Sequence, residues 1–135
     1  MKKLYYYSLV LLILASLQSC YKDVGPIEGE GDVPAEGISY SQDVQPIYDQ
    51  NCIDCHPGSG NLDLTADNSY AETVNVSASG YSGILVVPGD PEASVLYKKI
   101  DGSGAYGSNM PVGGSLSQTQ INTIKQWIEE GAQNN

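Results

Sequence analysis

The segment from 39 to 135 holds 97 residues with no phenylalanine and a single tryptophan. A chain so short and so poor in large apolar side chains buries little surface and needs a staple beyond its own core. Gly 15 and Pro 7 among 135 residues are too many for a helical bundle, yet too few for disorder. The length supports one folded domain.

Charge narrows the choice of partners. Sixteen Asp and Glu face six Lys and no Arg, a formal charge of −10. Phosphate binding needs clustered basic side chains, and none occur, so most nucleic-acid readings are excluded. Electrostatic attachment to an anionic membrane is disfavoured on the same ground.

The chain divides into three parts. Residues 1–19 read as a signal peptide, with Lys2 and Lys3 ahead of an apolar stretch, Leu4 to Leu17, too short to span a bilayer comfortably. It ends in Leu17-Gln18-Ser19-Cys20, which resembles the lipobox of a bacterial lipoprotein, with Gln18 bulkier than the small residue usual there. The resemblance implies cleavage before Cys20 and acylation of that cysteine; the alternative is an ordinary secretory signal with Cys20 as a free thiol. Cleavage leaves four lysines against 16 acids, a mature balance of −12. Residues 20–38 follow as a flexible acidic linker of five acids with repeated Gly and two Pro, a self-repelling tether reaching about 25 Å. Residues 39–135 are the folded unit, with 11 acids and 3 lysines.

Three helices are expected in that unit. The first runs from Ser41 through Val44, Ile47 and Tyr48 towards Cys52, irregular where Pro46 lies too deep for a first turn. The second opens on Asp90-Pro91-Glu92, with an N-cap, a first-position proline and an acid behind it, and stops at Gly102. The third is the best signalled: Ser117 and Gln120 form a capping box, Leu116 and Ile121 a staple, and Gly131 a stop. Ile121, Ile124 and Ile128 share one face of it, with Trp127 adjoining. Gly83–Val87 beside Thr73–Val76 allows at most a short two-stranded ribbon.

Cys52-Ile53-Asp54-Cys55-His56 carries the chemistry. Two cysteines three apart match two thioether bonds to the vinyl groups of one haem, and the adjacent histidine is then held under the iron. A redox-active dithiol is one alternative, without the thioredoxin-like alternation of strands and helices that usually carries it. A zinc site is another, and it would need a second Cys or His pair, whereas His56 is the only histidine. Cysteine use closes on the haem reading: of three thiols, Cys20 goes to lipid, and Cys52 and Cys55 go to haem. Met1 leaves with the signal, so Met110 is the sole methionine of the mature chain and the candidate sixth ligand. A thioether is a good axial donor and raises the potential of the couple. Met110 sits in a Gly- and Pro-bounded loop, Ser108-Asn109-Met110-Pro111-Val112-Gly113-Gly114, a setting that suits a ligand better than core filler.

Taken together, residues 39–132 resemble a bacterial cytochrome c domain: a first helix running into C-x-x-C-H, a Met-Pro loop, then Leu-Ser and a Trp-Ile helix ending in Gly-Ala. The stretch from Val87 to Tyr97 is similar to one found in small cytochrome domains of bacterial lipoproteins and larger haem enzymes. The resemblance implies a mainly α fold, a small, loop-rich helical domain wrapped around one covalent haem c. It implies Cys52 and Cys55 as attachment points, His56 as proximal and Met110 as distal ligand. Departures from the pattern are the missing Phe, for which Tyr48 would substitute in the first helix, and the missing Arg. Trp127, Tyr97 or backbone amides would then meet the propionates.

The function implied is electron transfer by a mono-haem c-type cytochrome, membrane-anchored in the periplasm or cell envelope. The acidic surface would steer it towards redox partners with a basic docking surface. Two other classes are a ligand-binding or peroxidatic haem with an open sixth site, and a haem subunit of a larger redox complex. Gly102-Ser103-Gly104-Ala105-Tyr106-Gly107 fits G-x-G-x-x-G but follows a helix and precedes a loop, the wrong setting for a nucleotide fingerprint. With its one histidine on iron, the chain offers no Ser-His-acid arrangement.

Overall fold

The computed structural model describes residues 37–135; the expected signal peptide, Cys20 and nearly all of the acidic linker lie outside them. A π-helical turn, Tyr40–Val44, runs directly into α1, Gln45–Asn51. A short 3-10 turn follows at Ser59–Asn61, then α2, Ser69–Thr73. Two further helices complete the chain, α3 at Val95–Ile100 and α4 at Gln118–Glu129. Among the described residues the architecture is mainly helical, with isolated bridges and no sheet. Helix α4 packs against both the π-helical turn and α3.

Pro46 explains the first element. A proline cannot donate to the preceding turn, so it is tolerated only near a helix start. The α-helix accordingly begins at Gln45, with Pro46 in its first turn and the wider π-turn ahead of it. The N-cap is Ser39, two residues before the expected Ser41, and its hydroxyl accepts from Gln42 N at 3.4 Å.

Helix α3 starts four residues later than expected. Asp90 Oδ1 does accept from Ala93 N at 3.0 Å, but the turn it caps ends at once. Ser94 is extended (φ −90°, ψ 117°), because its hydroxyl donates to Asp90 O at 2.8 Å and accepts from Val87 N at 2.8 Å. Helix α4 matches its signals. Ser117 Oγ accepts from Gln120 N at 3.2 Å, Gln120 Oε1 accepts from Ser117 N at 2.9 Å, and Gly131 at φ +98° ends the run. The expected ribbon reduces to bridges at Val74–Val86 and Ser77–Ile84. Asn75 takes φ +60° between them, and a left-handed residue cannot continue an extended strand.

The core is built on tyrosine where phenylalanine is missing. The Tyr40 ring lies 5.1 Å from Trp127, 5.2 Å from Tyr70 and 6.4 Å from Tyr48, centroid to centroid. Val44, Ile124 and Ile128 close around them, all fully buried. Phenols need partners once buried. Ser69 Oγ, itself donating to Gln45 Oε1 at 2.6 Å, takes the Tyr40 hydroxyl at 2.6 Å. Tyr70 donates to Ala132 O at 2.9 Å, and Trp127 Nε1 to Gln133 O at 2.9 Å. Helix α2, which the sequence pattern missed, supplies Ser69 and Tyr70 to this arrangement.

Candidate functional site

Where α1 ends, the chain continues in tight turns from Cys52 to His56. Cys52 N donates to Tyr48 O at 2.8 Å, and Cys55 N and His56 N both return to Cys52 O, at 3.1 and 3.0 Å. These turns bring Cys52, Cys55 and His56 together, and all three line one cavity of about 760 Å³. Met110, 54 residues beyond His56, lines the same cavity. That volume falls within the roughly 300–1,000 Å³ typical of cofactor sites.

The walls are largely apolar. Leu64 and Leu85 contribute from the central segment, Val95, Leu96 and Ile100 from α3, and Leu116 and Ile124 from the entrance and body of α4. The core and the cavity thus share residues, Leu64, Leu96, Leu116 and Ile124 belonging to both. Whatever fills the cavity extends the hydrophobic core of the domain.

Electrostatics separates the two thiols. Burial, with Cys55 nearby, pushes the Cys52 thiol up to about 11, and Cys55 is exposed. A reactive thiol needs a depressed, accessible thiolate, which Cys52 does not offer. Among the described residues no three His, Cys, Asp or Glu side chains gather closely enough to hold an ion. Two polar atoms at the cavity are buried without hydrogen-bond partners, Nδ1 of His56 and the hydroxyl of Tyr48. Orphaned buried polar atoms are rare. Burial raises the Tyr48 phenol well above its usual range.

The candidate residues thus come together on the cavity, except Cys20, which lies outside the described residues. Trp127 and Tyr97, expected near the propionates, do not line it. The Trp127 side chain is 1% exposed and turned into the tyrosine cluster, its Nε1 held by Gln133 O. Lys98 is likewise elsewhere, paired with Glu92 and, at 3.2 Å, with Asp101. Sequence reasoning missed two features of the cavity, the Tyr48 hydroxyl and the wall from Val76 to Tyr81; Lys99 is its one lysine among the described residues. Only the helical spacing of Tyr48 before Cys52 carried a local signal.

The glycines of the G-x-G-x-x-G match, Gly102, Gly104 and Gly107, all take positive φ (81°, 69° and 82°) in the loop between α3 and Met110. A nucleotide fingerprint would open a helix there, and this loop does not. No family model matches the chain, and neither a curated protein nor a solved structure matches it significantly.

Proposed function

We propose that the protein is a mono-haem c-type cytochrome, an extracytoplasmic electron carrier tethered to a membrane by a lipid on Cys20. The observation that carries this is the convergence of Cys52, Cys55, His56 and the sole mature methionine, Met110, on one apolar cavity of about 760 Å³. The donor set fits a covalent haem better than a dithiol or a closed zinc site. Two thiols and an imidazole line one apolar cavity, and among the described residues no three His, Cys, Asp or Glu side chains gather to hold an ion.

When bound, a haem supplies a one-electron Fe(II)/Fe(III) couple. The chain's own residues do the rest. Cys52 and Cys55 would hold the group through thioethers. His56 would supply one imidazole nitrogen to the iron, and Met110 a thioether sulfur. The aliphatic walls from α3 and α4 would limit water access, and with the Met110 sulfur as a ligand would favour the reduced state. The tyrosine cluster fixes α1 against α4, and so holds the Cys52–His56 turn in place. The folded segment carries −8, from 11 acids and 3 lysines, which suits a redox partner with a basic docking surface.

The test is haem staining of the membrane-extracted protein after denaturing electrophoresis, with the visible spectrum of the native form. Stain at the protein's mass, lost in Cys52→Ala/Cys55→Ala, is expected. Removal of all haem from the unsubstituted protein by acid-acetone would sink the attachment. Rapid carbon monoxide uptake by the reduced native protein would instead favour the open-site, ligand-binding haem.

A further inference from the structure

We propose that Lys99 is a positioning residue for Met110, clamping the loop that delivers the sulfur to the cavity; the inference rests on the haem reading above. The loop from Gly102 to Asn109 has little to hold it. Three of its eight residues are glycines in left-handed conformation, and only Tyr106 is not fully exposed. Its internal hydrogen bonds, such as Gly107 N to Gly104 O at 3.1 Å, shape local turns without tying it to the body.

Lys99 provides that tie at both ends of its own residue. Its carbonyl accepts from Met110 N at 2.7 Å. Its ammonium reaches the same loop, donating to Ser108 O at 2.6 Å and Tyr106 O at 3.1 Å. A third donor meets the Tyr81 hydroxyl at 3.3 Å, and the charge stands 5.1 Å from the Tyr81 ring centroid. Tyr81 in turn packs edge-on against Tyr106 at 5.5 Å. The three protons of a lysine ammonium are thereby all engaged, none with a carboxylate. Neighbouring Lys98 shows the contrast, since it pairs with Glu92 and Asp101 and contacts no part of the loop. Because Lys99 is seated on α3, the loop is referenced to a rigid element of the cavity wall. Without the ammonium, Met110 keeps one backbone hydrogen bond to α3, and the residues just before it lose their anchors.

The experiment compares the full-length, haem-loaded protein with Lys99→Leu, which keeps an apolar stem and removes the donors, and with Lys99→Arg, which restores them. Haem staining and far-UV circular dichroism report attachment and fold. The weak long-wavelength band of ferric iron–thioether ligation, followed against temperature, reports Met110, as does the rate of carbon monoxide uptake by the ferrous form. Lys99→Leu should keep its stain and helix content, lose the band well below its unfolding temperature, and take up carbon monoxide about tenfold faster. Lys99→Arg should recover both. Should Lys99→Leu not fold, Lys99→Gln serves in its place with the same expectation. A band that persists to global unfolding, with unchanged carbon monoxide uptake, overturns the clamp while leaving the haem reading intact. Absence of the band from the unsubstituted protein overturns the Met110 assignment itself, and the clamp with it.

Discussion

Ser69→Ala is the sharpest probe of how this domain manages without phenylalanine. The Ser69 hydroxyl is fully buried and stands between the Tyr40 phenol and Gln45 Oε1, 2.6 Å from each. Alanine fits the space but leaves a phenol donor and an amide acceptor unpaired, where water does not reach. Gln45 keeps its other contacts, Nε2 to Asp49 Oδ1 at 2.8 Å and to Leu64 O at 3.1 Å, so it cannot swing away to find a replacement. Each buried group left unsatisfied costs about 1–3 kcal/mol, so the two orphans place the substitution at about 2–6 kcal/mol. For a domain of this size that corresponds to a fall in Tm of at least about 8 °C. Tyr40→Phe in the Ser69→Ala background removes one orphan, so the double variant should be more stable than additivity predicts, by about 1–2 kcal/mol. Urea unfolding of the four proteins, followed by far-UV circular dichroism, measures the cycle. A cost for Ser69→Ala below about 0.5 kcal/mol, or strict additivity with Tyr40→Phe, would refute the view that this network carries the core.

Two further outcomes follow from the site and the phenols. Met110→Ala should leave haem attachment intact, abolish the long-wavelength ferric band, lower the potential and admit carbon monoxide to the reduced form. An unchanged spectrum and potential would remove Met110 from the iron. Burial holds the Tyr40 and Tyr48 phenols above their usual range. The folded state therefore keeps protons that the unfolded chain gives up, so their contribution is full below about pH 10 and declines as pH rises beyond it. The urea midpoint should fall through that window, and less steeply in Tyr48→Phe, while a midpoint flat to about pH 11 would contradict the assignment.

What was legible in the sequence followed local rules. The capping box of Ser117 and Gln120 and the glycine stop at Gly131 depend on residues within one turn of each other, and α4 formed between them as the pattern required. The spacing of Cys52, Cys55 and His56 let tight turns bring them together, whatever the rest of the chain did. Other features depended on groups distant in the chain and became visible only once it closed. Ser94 was drawn out of α3 by Val87 N, seven residues away, despite a good N-terminal signal at Asp90. Trp127 turned its indole to the tyrosine cluster and Gln133 O, leaving the cavity wall to Ile124 on the same helix. Helix α2 is too short to announce itself by periodicity, and it exists where the Tyr40 and Tyr70 hydroxyls need Ser69 and Ala132 O. The sequence by itself determined which donors the chain carries and which of them a single turn brings together. Tertiary structure alone decided that Met110 reaches the same cavity and that Lys99 holds its loop, because a side chain 54 residues from His56 is placed by the packing of α3 and α4.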